Sequence, residues 1–249
     1  MKPSQTDWSS VFDCDDYLYF YSQAVSEDIT SEQVAFITDI LQLAAGSTIL
    51  DLACGHGRHA NQLAQQGYKV TGVDISGDFL AIARREARDL GLDVQYLQQD
   101  LRQLSLSESF DAVLSLFTSF GYFEHDENIQ LLARVRNSLK PGGRFILDLP
   151  SRDGLMAAFR PFTVVEKGND LMAEQIKFDP VDGTLHNHRI LVRDGNVRKV
   201  DFSLHLYNAS QVREMLQRVG FTQIAFYENW KGDKLRLTSP RQIVVAQAG

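Results

Sequence analysis

Cysteine is scarce in this chain of 249 residues, which carries only Cys14 and Cys54. Two thiols so far apart match no metal spacing and no disulfide framework, and both are expected to be small buried or turn residues rather than nucleophiles. Long apolar runs are missing too. None approaches the roughly 20 residues that span a bilayer, so no membrane association is expected. Basic charge is also in deficit: 32 acidic against 25 basic side chains leave a formal charge of -7. Such a chain lacks the positive field that holds a phosphate backbone, and nucleic acid is not expected as a partner. The first residues, MKPSQTDWSSVFDCDD, are polar and acidic where a secretory leader is basic and then apolar. The expectation is a cytoplasmic protein with reduced thiols, a monomer or homodimer. What is present is ordinary globular composition, 44% hydrophobic and 23% charged, in a chain long enough to bury a full core.

No internal repeat or low-complexity segment stands out, so periodicity and punctuation carry the reading. Residues 15–43 read as helices, with Ser31 able to cap a segment whose Val34, Ile37, Ile40 and Leu41 share one face. From residue 47 the rhythm changes to short apolar runs in strict turn with helical patterns. Strands are expected at 48–52, 69–73, 94–97, 112–116 and 144–149, and helices at 58–66, 77–90 and 127–139, the last stopped by Pro141-Gly142-Gly143. That alternation predicts a buried parallel sheet with right-handed crossovers. It breaks after Pro150. Residues 162–207 read as strands separated by the hairpin signals Asp179-Pro180-Val181-Asp182-Gly183 and Asp194-Gly195-Asn196, a small antiparallel insertion. A helix returns at 210–219, capped by Ser210 and stopped by Gly220, and strands at 221–227 and 242–246 close the parent domain.

The sharpest local feature runs from Ile49 to Ala60, a strand entering a glycine-rich turn and then a helix. Glycine lets the backbone approach a ligand, and the helix start offers unpaired N–H groups. Gly55-x-Gly57-x-x-Ala60 alone also fits a dinucleotide fingerprint. Three acids at successive strand ends add context. Asp51 at the turn would repel a pyrophosphate and favours an ammonium-bearing ligand. Asp74, about 20 residues on, stands where an acid reaches ribose hydroxyls. Asp100 follows the third strand and can accept from an adenine amino group. Any one of them can equally be the cap of the next helix.

In this order the motifs resemble those of class I S-adenosylmethionine-dependent methyltransferases, over about residues 49–149. Asp51-Leu52-Ala53-Cys54-Gly55-His56-Gly57 is similar to their first motif, with Ala53 in place of the usual first Gly and His56 of a common Thr. Val73-Asp74-Ile75-Ser76, Asp100-Leu101, Phe110-Asp111-Ala112-Val113 and Leu139-Lys140-Pro141-Gly142-Gly143 resemble the later ones. Gly57-Arg58-His59, Thr118-Ser119-Phe120-Gly121-Tyr122-Phe123 and Asp16-Tyr17-x-x-Phe20-Tyr21 resemble a poorly characterised bacterial small-molecule branch. The resemblance implies a doubly wound, mostly parallel seven-stranded Rossmann-like sheet with the small antiparallel insertion. It also implies S-adenosyl-L-methionine as cofactor and methyl transfer to a small-molecule acceptor whose attacking atom, N, O or C, stays open. It implies cofactor contacts from Asp51, Ala53, Gly55, His56, Gly57, Arg58, Asp74, Ile75, Asp100, Leu101, Leu116, Phe117, Tyr17 and Tyr21. Two other readings stay open: an NAD-type oxidoreductase, which shares Gly55, Gly57 and Asp74, and a non-catalytic S-adenosylmethionine-binding protein.

Ligands of open α/β sheets lie outside the carboxyl ends of the strands, so residues 117–125 and 151–160 are expected to face the methyl group. Thr118, Ser119, Tyr122 and His125 are substrate-side candidates there, whereas Phe120 and Phe123 are expected to pack the loop. Methyl transfer is an in-line displacement in which alignment supplies much of the rate. Where a base is required, His125 and His186 are candidates, beside Tyr122, His188 and His205. His186 and His188 share one strand face, but no third ligand can be assigned, and no metal site is expected. Leu116-Phe117-Thr118-Ser119 lacks the Asn/Asp-Pro-Pro-aromatic pattern of nucleobase and amide methylation. The domain expectation is a helical segment 1–46 over the site, a cofactor domain of 47–159 and 208–249, and the insertion 160–207 as substrate cover.

Overall fold

The computed structural model describes residues 8–106 and 109–249. Three helices come first: α1 (Trp8–Val11), α2 (Cys14–Phe20) and α3 (Glu27–Leu41). The Asp13 carboxylate caps α2 by accepting from the Asp16 amide at 3.0 Å. Helix α3 starts a turn before Ser31. Ser26 is the extended N-cap, Glu27 and Asp28 complement the helix dipole, and the Ser31 hydroxyl donates back to the Glu27 carbonyl from inside the helix.

The alternating segment builds β1 (Thr48–Leu52), α4 (Arg58–Gln65), β2 (Lys69–Asp74), α5 (Gly77–Asp89), β3 (Val94–Gln98), β4 (Phe110–Ser115), α6 (His125–Asn137) and β5 (Leu139–Pro150). A short helix α7 (Arg152–Ala157) follows. After the insertion come α8 (Ala209–Arg218), β10 (Phe221–Tyr227) and β11 (Arg241–Ala248). The seven strands lie in the order β10-β11-β5-β4-β1-β2-β3, with β11 antiparallel to both neighbours. The order reverses between β1 and β4, which places the topological switch point at the end of β1. Both faces are covered, so neighbouring residues on a strand belong to different layers. Leu50 and Leu52 pack with Leu132 of α6 and Leu216 of α8, while Ile49 packs with Ile37, Leu63 and Leu80 from α3, α4 and α5.

Two further helix boundaries differ from expectation, the start of α8 and the end of α6. Helix α8 starts on Asn208, whose side chain accepts from the Gln211 amide at 2.9 Å while the Asn208 amide donates to the Gln211 Oε1 at 3.1 Å, so Ser210 lies in the first turn. Helix α6 carries a capping box between Glu124 and Glu127 and ends at Asn137. Leu139 already pairs with Phe110, so Pro141-Gly142-Gly143 lies inside β5 instead of stopping the helix.

The insertion is a four-stranded antiparallel sheet, β6 (Phe162–Lys167), β7 (Asp170–Asp179), β8 (Thr184–Arg193) and β9 (Asn196–His205), turning at the two expected hairpins and at Gly168. Helices α1 and α2 dock on it. Val11 and Phe20 are buried against Met172, Leu191 and Val200. Asp16 pairs with Arg193 at 3.1 Å and with Arg198, and the Tyr19 hydroxyl donates to Asp170 at 2.8 Å. Among the described residues, no helix is long and apolar enough to cross a membrane.

Candidate active site

A cavity of about 420 Å³ lies between the carboxyl ends of β1, β2 and β4 on one side and α1, α2 and the insertion sheet on the other. Its floor is the turn after β1. There Ala53 adopts φ 51°, Gly55 φ 55° and Gly57 φ 79°. A side-chain carbon on Gly55 would meet nothing within 4 Å, because its Cα faces open space. On Gly57 it would lie 2.8 Å from the Ala83 Cβ and against the Tyr96 ring. Gly57 thus seats the loop on α5 and β3, and it does not line the cavity.

Asp51 is 2% exposed, and its Oδ2 has no hydrogen-bond partner among the described residues. Burial pushes its carboxyl up to about 7, with Arg58 pulling it down and Asp74 pushing it further up. Arg58 donates through Nη1 to Thr30 (2.9 Å) and Gln33 (2.6 Å), while Nη2 is buried without a partner. One orphaned acceptor and one orphaned donor therefore stand at the same end of the cavity, the complement of an amino-acid ammonium and carboxylate. Asp74 accepts from the Gly55 and Ser76 amides, both at 2.8 Å, so it braces the glycine loop as well as facing the cavity. Asp100 lines the cavity but is held in a bidentate pair by Arg102, whose hydrogen bonds keep its carboxyl below the usual range. His56 also lines the cavity, and burial followed by Arg58 pulls its imidazole down to about 4.

Tyr17 and Tyr21 of the N-terminal segment face this floor with ring centroids 5.0 Å apart, and Phe20 turns instead into the sheet. Leu116, Phe117, Thr118, Ser119, Tyr122 and Phe123 line the cavity after β4, joined by Ile75 and Leu101. Phe120 is buried in the core as expected, but Phe123 is not confined to packing. Residues 151–160 do not reach the cavity, because α7 folds that stretch away. His125 lies outside the lining and sits 3.3 Å from the Tyr207 hydroxyl. His186 and His188 are on the outer face of β8, bonded to Ser203 (2.8 Å) and Asp201 (2.7 Å) across β9. The strand's alternation turns Leu185, Asn187 and Arg189 inward in their place. Of the three expected catalytic residues, His125 and His186 are not among the described residues that line the cavity and Tyr122 is, and burial raises the Tyr122 phenol above the usual range.

Other groups at the cavity carry no local sequence signal. Behind its wall lies Asp148, 1% exposed, a charge inside the apolar run Phe145-Ile146-Leu147-Asp148-Leu149. It accepts from the Phe117 amide (2.9 Å) and from Arg241 Nε (2.7 Å), and Arg241 reaches the Thr118 hydroxyl at 3.0 Å. Glu174 accepts from Arg189 Nε and Asn187 Nδ2, both at 2.9 Å, and Arg189 continues to the Tyr21 hydroxyl. Trp8 and Phe12 pack edge-on against Tyr122 and complete an aromatic chamber with Phe202.

A cavity of about 420 Å³ with amino-acid anchors, outside the switch point of a doubly wound sheet, fits the class of proteins that bind a cofactor joining a nucleoside to an amino acid. A family model described as a methyltransferase domain matches residues 49–143. Glycine/sarcosine N-methyltransferase of Parasynechococcus marenigrum (strain WH8102) is 31% identical over 206 residues, 80% of this chain and 71% of that protein. A protein of Geobacillus sp. (strain WCH70) with a provisional methyltransferase name is 27% identical over 93% of this chain and 98% of its own. The crystal structure of an S-adenosylmethionine-dependent methyltransferase from Clostridium acetobutylicum ATCC 824 shares the fold, with a TM-score of 0.83 at 21% identity over 94% of this chain and 98% of that one. The chain belongs to the class I S-adenosylmethionine-dependent methyltransferases. It is an enzyme that moves the methyl group of S-adenosylmethionine to a small-molecule acceptor, and the dehydrogenase reading falls.

Proposed function

We propose that the accepting atom is an amine nitrogen. The observation that carries this is that, among the described residues, no strong free base lines the cavity beside the aromatic chamber: His56 lies against Phe79 with ring centroids 6.3 Å apart, and burial followed by Arg58 draws its imidazole down to about 4, a weak base. Tyr21 and Tyr122 hold their protons through burial, Glu174 is tied to Arg189 and Asn187, and Arg241 is tied to Asp148. A hydroxyl acceptor needs its proton removed during transfer, whereas a neutral amine attacks with its own lone pair. The N–C bond forms as the methyl–sulfur bond breaks, the electron pair goes to sulfur, and the product leaves as an ammonium that gives its proton to water. The glycine/sarcosine N-methyltransferases among the relatives act, by name, on nitrogen.

In this reading Asp51 meets the cofactor's ammonium, Arg58 its carboxylate, Asp74 its ribose and Asp100 its adenine. Ala53, Gly55, His56, Ile75, Leu101, Leu116 and Phe117 form the bed, with Gly57 shaping it from behind. Tyr17 and Tyr21 close over it, and the sheet of β6 to β9 covers the acceptor. Because both sides exclude water, alignment is the main contribution of the chain. The enzyme works in the cytoplasm, as a monomer or homodimer, on a free metabolite and not on nucleic acid. The test is transfer of a labelled methyl group to 2-phenylethylamine against 2-phenylethanol, two molecules of one skeleton. Faster transfer to the alcohol would refute the amine.

A further inference from the structure

The charges in the chamber narrow the class of amine, and the narrower class rests on nitrogen being the accepting atom. Three arginines line the cavity: Arg58, Arg189 and Arg241. Arg58 stands at the cofactor end with Asp51, and the other two face the acceptor end already neutralised. Arg189 is ion-paired with Glu174 at 2.8 Å, their side chains 11% and 16% exposed. Arg241 is ion-paired with Asp148 at 2.7 Å, and Asp148 is almost wholly buried. An incoming carboxylate would have to displace a carboxylate the fold already holds, and would lose its own hydration in doing so. The rest of the chamber is aromatic, with Trp8, Phe12, Tyr122, Phe123 and Phe202 around it.

Among the described residues, one buried side-chain polar atom at this end lacks a partner. Asn187, 6% exposed, gives its Nδ2 to Glu174. The ion-paired carboxylate can only accept, so the amide orientation is settled and Oδ1 is the atom left over. A buried carbonyl oxygen beside a cavity calls for a donor such as an amine N–H.

We infer that the acceptor is a small amine with an apolar, ring-sized body and no carboxylate, its N–H taken by Asn187 and its body by the aromatic walls. Glu174 is then a specificity-determining residue, because it cancels the charge of Arg189. The chain thus differs in acceptor class from a methyltransferase that acts on glycine or sarcosine.

The full chain with labelled S-adenosylmethionine tests this on a matched pair that differs only in the carboxylate, 2-phenylethylamine and phenylalanine, with sarcosine beside them. Expected is a kcat/KM at least 100-fold higher for 2-phenylethylamine than for either amino acid. Equal or faster methylation of phenylalanine or sarcosine overturns the inference, and so does methylation of none of the three. Glu174→Gln leaves the Arg189 charge uncompensated and should shift the phenylalanine to 2-phenylethylamine ratio at least tenfold toward phenylalanine, an effect that mere loosening of the sheet would not produce. An unchanged ratio in a folded variant removes Glu174 from the assignment. The amine reading itself fails separately, through preference for 2-phenylethanol.

Discussion

Replacing Asp51 by Asn should make the protein more stable and a poorer binder of its cofactor. The side chain is buried at the end of β1 with Oδ2 unpaired, and its carboxyl titrates near 7 against an ordinary value of 3.8. Folding therefore binds a proton at this site. Below about pH 4 both states are protonated and the stabilisation is fully present; as pH rises toward 7 the unfolded chain has lost its proton while the fold must still give one up, and stability falls. A rise of about three units corresponds to roughly 4 kcal/mol, an upper bound because local relaxation and water entry reduce it. Asn keeps the shape and removes the titration. Between pH 5 and pH 8, thermal melts without cofactor should show the wild type losing about 2 to 3 kcal/mol relative to Asp51→Asn, on the order of 5 to 10 °C. Parallel profiles for the two proteins would refute the reasoning. The linked test is calorimetric: an ammonium at Oδ2 favours the charged form, so S-adenosylmethionine binding near pH 6.5 should release a proton in the wild type and none in the variant.

Gly55→Ala should fold at a cost of about 1 kcal/mol for its positive φ and lose cofactor affinity, because the new methyl group points into open space where a ligand fits. Gly57→Ala meets Ala83 and Tyr96 and should lower the melting temperature far more, by an amount that differential scanning calorimetry separates from the first variant. Arg241→Met leaves the buried Asp148 carboxylate without its strongest donor and should cost about 2 kcal/mol in urea unfolding, while raising the acceptor KM more than the cofactor Kd. Asp74→Ala should weaken S-adenosylmethionine by about 1.5 to 3 kcal/mol for each lost hydrogen bond to the carboxylate, seen by isothermal titration. Unchanged affinity there would leave Asp74 only its role with Gly55 and Ser76.

Legibility followed the range of the interaction. Strands β1 and β10 start and end on the expected residues, because an apolar run between breakers is a local property. The caps were harder where serines compete. Ser210 has the right chemistry, but Asn208 with Gln211 three residues on makes two bonds where a lone serine makes one. That Asp51, Asp74 and Asp100 gather at one cavity was readable, because they recur at strand ends whose positions the alternation dictates. The long-range pairs at the cavity were not. Arg241 reaches Asp148 across 93 residues and Arg189 reaches Tyr21 across 168, and nothing local marks such pairs. The misplacement of His186 has a simpler cause: on a two-sided strand the sequence shows which residues share a face, and only the docked sheet decides which face is inside.

The backbone strain of the cavity rim links its two ends. Ala53, Phe117 and Thr118 hold φ at 51°, 54° and 64°, a region that side chains make costly. All three lie just past the carboxyl ends of β1 and β4, the strands on either side of the switch point. Each is held from outside its own turn. The amide after Ala53 donates to the Val73 carbonyl of β2, the Phe117 amide to the Asp148 carboxylate, and the Thr118 amide to the Asp148 carbonyl. The left-handed turn leaves Phe117 with the Arg58 guanidinium 5.4 Å from its ring centroid and that of Arg241 5.9 Å from it. One residue thus touches the guanidinium that stands with Asp51 and the one that pairs with Asp148. Asp148 holds the strained turn at Phe117 and Thr118, and Arg241 in turn holds Asp148, so the ion pair that neutralises Arg241 also keeps the shape of the cavity wall at Phe117.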